Sequence, residues 1–158
     1  MKKMILRWSL FFLTLCTMIM IFCFSSESGE ESAAASDGIM ALLIRGFSGK
    51  EMNELSEKEL GTISLIIRKL AHFSEFFLLG AFSGGFIRTY NMKPMLCFAL
   101  PSAFCLVYAA FDELHQLFVS GRNGSALDVM IDFSGALAAG FILMLISRAV
   151  SKKEKLSG

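Results

Sequence analysis

Ionisable residues that could do chemistry occur in two short segments of an otherwise strongly apolar sequence. Residues 111–135 hold four acids, one histidine and one arginine, and residues 68–76 hold two basic residues, a histidine and a glutamate. Carboxylates beside histidines are typical of general acid/base groups. An arginine in a glycine-flanked turn, such as Arg122, is suited to bidentate binding of a phosphate or carboxylate. The two segments are therefore the candidates for a functional site.

These residues fall into two candidate roles. Candidates for acid/base catalysis are His72, Glu75, Asp112, Glu113 and His115, and candidates for substrate binding are Lys69, Gln116, Arg122, Asp128 and Asp132. The two histidines with Asp112, Glu113 and Asp128 could supply a metal site. Neither the His-x-x-Glu nor the Asp-Glu-x-His-Gln spacing is an established metal-ligand pattern, so no metal and no other cofactor is assigned, and the sequence does not determine metal dependence. The alternative without chemistry is mutual pairing, in which Arg122 would form a salt bridge to Asp112, Glu113 or Asp128. The sequence favours structural pairing or ligand binding and leaves open whether any reaction is catalysed.

The composition indicates that the elements around these segments lie in a membrane. The chain is 54% apolar and only 18% charged, with a mean hydropathy of +0.60 and a net charge of +1, which gives no argument for nucleic-acid binding. A spanning helix needs about 20 mostly apolar residues. Uncharged stretches predict four spans, at about residues 6–24, 68–88, 94–118 and 127–148. Cleavage of the first span as a signal peptide is the alternative, which its long apolar stretch disfavours.

The predicted fold is a single all-α polytopic membrane domain over residues 1–158, with short helices in an extracytoplasmic first loop at about residues 25–60. One of these helices is expected to begin near Ser36 and to end at Gly46. The serine- and glutamate-rich stretch at residues 25–32 is interpreted as a solvated linker. Ser56 and Glu59 have the spacing of a capping box, which predicts the start of the helix that becomes the second span.

The distribution of Lys and Arg predicts the orientation. Nine of the fifteen lie at the N-terminus, after the second span or in the C-terminal tail, and six lie on the other side. Because cytoplasmic loops carry an excess of these residues, we expect both termini to be cytoplasmic.

In this orientation the polar ends of the last three spans meet at the outer membrane face. Helical spacing gives one stripe on each span: Lys69, His72, Glu75 and Phe76; Asp112, His115 and Gln116; and Asp128, Asp132 and Gly135. A charged side chain at membrane depth costs about 2.5–3.5 kcal/mol on insertion scales. Three such stripes at one depth therefore predict a shared polar pocket that opens outward.

Three segments resemble the VanZ-like family, which is named for a membrane protein associated with teicoplanin resistance in Gram-positive bacteria. They are RKLAHFSEFFLLG at 68–80, FDELHQLFVSGRNGSALDV at 111–129 and DFSGALAAG at 132–140. Asp132 stands where that family more often has asparagine, and Phe76 where it often has tyrosine. The resemblance implies a cell-envelope protein and a resistance phenotype rather than a defined reaction.

Three functions are compatible with these features. The first is envelope protection, in which the pocket binds a lipoglycopeptide such as teicoplanin or a lipid-linked wall precursor. The second is a membrane enzyme that acts on a lipid-linked headgroup by acid/base chemistry. The third is an ion or proton pathway, which the apolar cytoplasmic halves of the spans disfavour. Membrane lipid is the expected partner, and the sequence does not determine an oligomeric state.

Overall fold

The protein is an all-helical bundle. The computed structural model describes residues 1–48 and 52–157, so residues 49–51 of the predicted first loop lie outside the described residues. The helices are α1 (Lys2–Ser26), α2 (Gly29–Ser48), α3 (Glu57–Arg88), α4 (Pro94–Gln116) and α5 (Ala126–Ser157), and a 3₁₀ turn (Met52–Glu54) precedes α3.

Four of the helices are long and apolar enough to cross a membrane. They are α1, α3, α4 and the Ala126–Lys152 part of α5. Many of their large apolar side chains are exposed, including Trp8, Phe12, Phe111 and Phe141. Exposed apolar residues on all four helices are expected where lipid, rather than water, surrounds the bundle. The prediction of a polytopic all-α membrane protein with four spans is therefore confirmed.

The first loop differs from the prediction, because α2 is one helix of 20 residues that begins immediately after α1. Ser28 and Glu31 form its N-terminal cap: the Ser28 backbone amide and hydroxyl both donate to the Glu31 carboxylate at 2.8 Å, and the Glu31 amide donates back to the Ser28 hydroxyl. The hydrogen bond from the Ser28 backbone is the main reason that the pKa of Glu31 is lowered from its usual value. Ser36, expected at the start of a helix, instead lies within α2 and donates to the Ser32 carbonyl.

The helix α3 begins where the sequence predicts. Ser56 is the N-cap residue, its hydroxyl accepts from the Glu59 amide, and the Glu59 side chain accepts from the Ser56 amide at 2.9 Å. This capping box satisfies backbone donors that have no partner inside the helix.

Replacing Ser56 with alanine is expected to loosen the first turn of α3. Loss of a serine N-cap costs about 1 kcal/mol, which corresponds to roughly fivefold faster hydrogen exchange at the first-turn amides. Exchange mass spectrometry of the protein in detergent micelles measures this, with Ser64→Ala in the same helix as the control. Equal exchange in both variants would contradict the capping role.

Polar contacts show which helix ends lie together. At one end, Arg7 of α1 donates to Thr89, just after α3. At the other end, Ser25 near the end of α1 donates to Asp112 near the end of α4. We call this second end, which contains the loop at residues 117–125, the hairpin end. Both chain termini lie at the opposite end, as an even number of spans requires.

The spans pack closely because glycine and alanine lie between them. A Cβ added at Gly80 of α3 would lie 2.8 Å from the Ala136 Cα of α5, and one added at Gly135 would lie 2.2 Å from the Phe73 carbonyl oxygen. Both glycines therefore allow close contact between α3 and α5. A buried cluster that includes Ile21, Phe76, Leu79, Cys105 and Ala109 joins α1, α3 and α4 beneath the hairpin end.

Candidate functional site

A cavity of about 180 Å³ lies at the hairpin end. Residues from α3, α4, α5 and the loop between α4 and α5 line it: Leu65, Arg68, Lys69, His72, Glu113, Gln116, Gly121, Arg122, Asn123, Asp128, Ile131 and Asp132. Seven of the ten candidates from the sequence are among them, and Glu75, Asp112 and His115 are not. Helical periodicity thus brings most of the expected side chains together.

Lys69 and Asp128 join α3 to α5 by an ion pair at the side of the cavity. Each side chain retains 31% exposure. An exposed pair of this kind contributes about 0–1 kcal/mol to stability. Its main effect is to balance two charges near the membrane interface.

Asp112 and Glu113 are both buried, and each organises a helix end. The Asp112 Oδ2 accepts from the Ser25 hydroxyl at 2.8 Å and from the Gln116 amide nitrogen at 3.0 Å, which ties α1 to α4. The Glu113 Oε2 accepts from the Ser125 backbone amide at 2.7 Å. Because Ser125 immediately precedes α5, this bond fixes the start of that helix.

Arg122 holds the end of α1. Its Nε donates to the Glu27 carbonyl and its Nη2 to the Phe24 carbonyl, both at 2.8 Å. Carbonyls at a helix C-terminus have no partner inside the helix and carry partial negative charge. Among the described residues Arg122 forms no salt bridge, so the expected pairing with Asp112, Glu113 or Asp128 is not what the structure contains. Partial burial lowers the pKa of Arg122 from its usual value, but a guanidinium remains protonated in proteins.

The loop that carries Arg122 also contacts the start of α2. The Gly29 amide donates to the Ser120 carbonyl at 3.0 Å. Gly121 has a φ of +71°, which favours glycine. A Cβ on Gly29 would lie 2.2 Å from the Gly121 carbonyl oxygen. Glycines on both sides therefore allow the backbone contact that places Arg122.

His72, Glu75 and Asp132 face one another between α3 and α5. The His72 Nδ1 lies 3.8 Å from Asp132 Oδ1 and 4.0 Å from Glu75 Oε2, which is too long for hydrogen bonds. Ligand atoms of His72, Asp112 and Asp132 lie within 4.8 Å of one another. These residues have the donor atoms that a metal site requires.

His115 does not join the predicted pocket. Its ring packs edge-on against Phe22 of α1, with centroids 4.7 Å apart. Its Nδ1 is buried and has no hydrogen-bond partner in the described part of the chain. Asp112, His115 and Gln116 do share one side of α4, but His115 turns towards α1 rather than the cavity.

Arg68, Ser25 and Ser125 are among the residues at the site that are not candidates from the sequence. Arg68 lines the cavity, Ser25 holds Asp112, and Ser125 holds Glu113. Ser25 belongs to the serine-rich stretch that was interpreted as a solvated linker, and that interpretation is wrong: Ser25 is fully buried and Ser28 caps α2. The Ser-x-x-Glu spacing of Ser28 and Glu31 was the signal that could have revealed it.

Comparison with known proteins gives one match. A family model described as VanZ/LLP1 matches residues 10–147. No curated protein and no solved structure matches the chain. The matched segment covers most of the sequence and includes every residue that lines the cavity. The chain therefore belongs to the VanZ/LLP1 family.

Proposed function

We propose that the protein is a cell-envelope membrane protein that binds the charged headgroup of a lipid-linked cell-wall component at the outer membrane face, and thereby lowers access of teicoplanin-type glycopeptides to their target. The observation that carries this proposal is the set of charged side chains around a cavity at one end of a membrane bundle. Charged groups at such a depth are costly and mark functional sites in membrane proteins.

The orientation supports an outer-face site. The end opposite the hairpin end contains both termini and the loop between α3 and α4, where nine of the fifteen Lys and Arg residues lie. The positive-inside rule favours a cytoplasmic location for that end. The hairpin end and its cavity then face outward, where wall precursors and glycopeptides meet.

The volume of the cavity limits the size of the ligand that it can bind. Pockets for drug-sized molecules are about 300–1,000 Å³, whereas this cavity is about 180 Å³. A glycopeptide is too large to enter it, but a phosphate or another single headgroup fits. We therefore assign the cavity to a headgroup and treat glycopeptide protection as the consequence of that binding.

The cavity lining has three cationic and three acidic side chains, and its two arginines can bind an anionic group. Arg68 lines the cavity and makes no hydrogen bond or ion pair among the described residues, so its donors are available. Arg122 uses Nε and Nη2 to hold α1, which leaves Nη1. Arginine binds phosphate and carboxylate by parallel charge-assisted hydrogen bonds. Arg68 is thus the residue best placed to bind the ligand without also holding the fold.

Replacing Arg68 with glutamine is expected to weaken headgroup binding about tenfold or more, since a hydrogen bond to a charged group contributes about 1.5–3 kcal/mol. Binding of a lipid-linked wall precursor to the protein in nanodiscs measures this. Arg148→Gln removes the same charge at the opposite end of the bundle and is the matched control. Equal binding by both variants would exclude this role for the cavity.

The resistance part of the proposal is tested in a strain that lacks the gene. Restoring the natural protein is expected to change teicoplanin susceptibility more than vancomycin susceptibility, because only teicoplanin carries an acyl chain that holds it at the membrane. Arg68→Gln is expected to lose this effect and Arg148→Gln to keep it. Equal changes for both drugs would contradict the glycopeptide role.

An enzyme that acts on the same headgroup is the second candidate. His72 favours it, because this imidazole lines the cavity and faces the carboxylates of Glu75 and Asp132. Such an arrangement suits proton transfer. Turnover of a bound precursor that is lost in His72→Gln, with binding retained, would establish the enzyme over the binding protein.

A further inference from the structure

Four polar atoms between α3 and α5 are buried without any hydrogen-bond partner among the described residues. They are the His72 Nδ1, the Glu75 Oε2 and both carboxylate oxygens of Asp132. The Asp132 side chain is fully buried, with 0% exposure. An unpaired buried carboxylate is costly in a soluble protein and more so in a membrane. A proton or a bound cation is therefore needed to neutralise Asp132.

Asp112 of α4 completes the surroundings of this cluster. One ligand atom from each of His72, Asp112 and Asp132 lies within 4.8 Å of the other two. The Asp112 Oδ2 is held by Ser25 and Gln116, while its Oδ1 makes no hydrogen bond in the described chain. Three helices thus direct one imidazole and two carboxylates to a common point.

We propose that His72, Asp112 and Asp132 bind a divalent transition-metal cation of the Zn²⁺ or Mn²⁺ class. The two carboxylates carry the charge that balances such an ion, and imidazole with carboxylate oxygens is a donor set that these metals accept. Metal–ligand bonds of about 2.0–2.2 Å place tetrahedral ligand atoms about 3.4 Å apart. The three ligand atoms lie within 4.8 Å of one another, so side-chain shifts of about an ångström would bring them to this distance.

The surroundings have the features of an outer shell. Hydrogen bonds from Ser25 and Gln116 orient Asp112, as outer-shell partners orient metal-ligating carboxylates. Glu75 lies beside the imidazole, with its Oε2 4.0 Å from the His72 Nδ1, and is not one of the three residues whose ligand atoms converge. Lys69 is already neutralised by Asp128 and does not compete for Asp132.

The proposed ion has an open position towards the cavity. His72 and Asp132 line the cavity, whereas Asp112 does not. Three protein ligands with one open position are typical of metal sites that bind a ligand or water. This inference rests on the buried cluster alone and holds whether or not the cavity binds a wall precursor.

The test is metal analysis of the full-length protein purified in detergent without chelator. We expect stoichiometric bound metal, and after treatment with EDTA we expect Zn²⁺ or Mn²⁺ to raise the melting temperature. Loss of an outer-shell partner lowers metal affinity by about 10- to 100-fold. Asp132→Asn and His72→Gln should each lower it by more than this. Asp37→Asn, which alters an exposed carboxylate of α2 outside the cluster and the cavity, should retain the metal.

Two results would overturn the inference. One is natural protein that carries no metal and shows no thermal shift with either ion. The other is equal loss of affinity in Asp37→Asn and Asp132→Asn. Asp132→Asn preserves the shape of the side chain, and size-exclusion chromatography checks its fold; if it does not fold, His72→Gln carries the test. Since the readout is metal content, it is independent of drug susceptibility and of precursor binding.

Discussion

Replacing Gly135 with alanine is expected to prevent α5 from packing against α3. The added Cβ would lie 2.2 Å from the Phe73 carbonyl oxygen and 3.1 Å from the Phe77 amide nitrogen. Both are backbone atoms of a helix, so they cannot move aside as a flexible side chain would. Overpacking costs about 1–3 kcal/mol, occasionally more, and we expect the upper end or beyond. The measurement is the melting temperature in detergent together with abundance in the membrane.

Gly61→Ala is the matched control for this substitution. Gly61 also lies within a helix, and nothing lies within 4 Å of the Cβ that alanine would add. Alanine is more favourable than glycine in a helix by up to about 1 kcal/mol, so this variant should be as stable as the natural protein or more stable. If Gly135→Ala has the same melting temperature as the natural protein, the close contact between α3 and α5 is disproved.

Replacing Arg122 with alanine is expected to release the end of α1 from the loop between α4 and α5. Two charge-assisted hydrogen bonds of 2.8 Å are lost, and each contributes about 1.5–3 kcal/mol. The Glu27 carbonyl then loses the Arg122 donor, and the Phe24 carbonyl keeps, within the described chain, only its 3.3 Å bond from the Glu27 amide. A lower melting temperature and faster proteolysis near the junction of α1 and α2 measure this effect.

Arg68→Ala separates loss of these bonds from loss of charge. Arg68 lines the same cavity but forms no hydrogen bond or ion pair within the described part of the chain, so its loss should leave the melting temperature almost unchanged. Arg122→Lys should recover part of the stability, because an ammonium group has donors but not the planar fork of a guanidinium. Equal destabilisation by Arg68→Ala and Arg122→Ala would contradict the role of Arg122 in holding α1.

The four spans could be predicted from the sequence because burial in lipid leaves few choices. Stretches such as residues 94–111 contain no charge, and no other environment accepts so many apolar residues in a row. Most of the candidate site could be predicted for a related reason. Helical spacing puts Lys69 and His72 on one face of α3, and Asp128 and Asp132 on one face of α5. Since the two helices run in the same direction, each starting at the hairpin end, these faces meet.

The remaining contacts could not be predicted because they depend on the backbone or on rotation of a single helix. Arg122 binds the carbonyls of Phe24 and Glu27, and since every residue has a carbonyl, no residue type marks these acceptors. His115 lies at helical spacing from Asp112 but contacts Phe22, because α1 covers that side of α4. Each of the three proposed metal-binding residues is a candidate in the sequence. They lie on three different helices, however, and have no characteristic spacing along the chain.

Three of the hydrogen bonds that attach the helix α1 and its C-terminal end to the rest of the protein are accepted by main-chain carbonyls. Tyr108 donates to the Met18 carbonyl at 2.7 Å, and Arg122 donates to the carbonyls of Phe24 and Glu27. Substitution at these three positions changes the side chain but leaves the acceptor in place. The outward side chains of α1 are therefore free to vary with the thickness or composition of the host bilayer, while Tyr108 and Arg122 are not. The residues of α1 that face the lipid are thus different from the residues that attach α1 to the bundle.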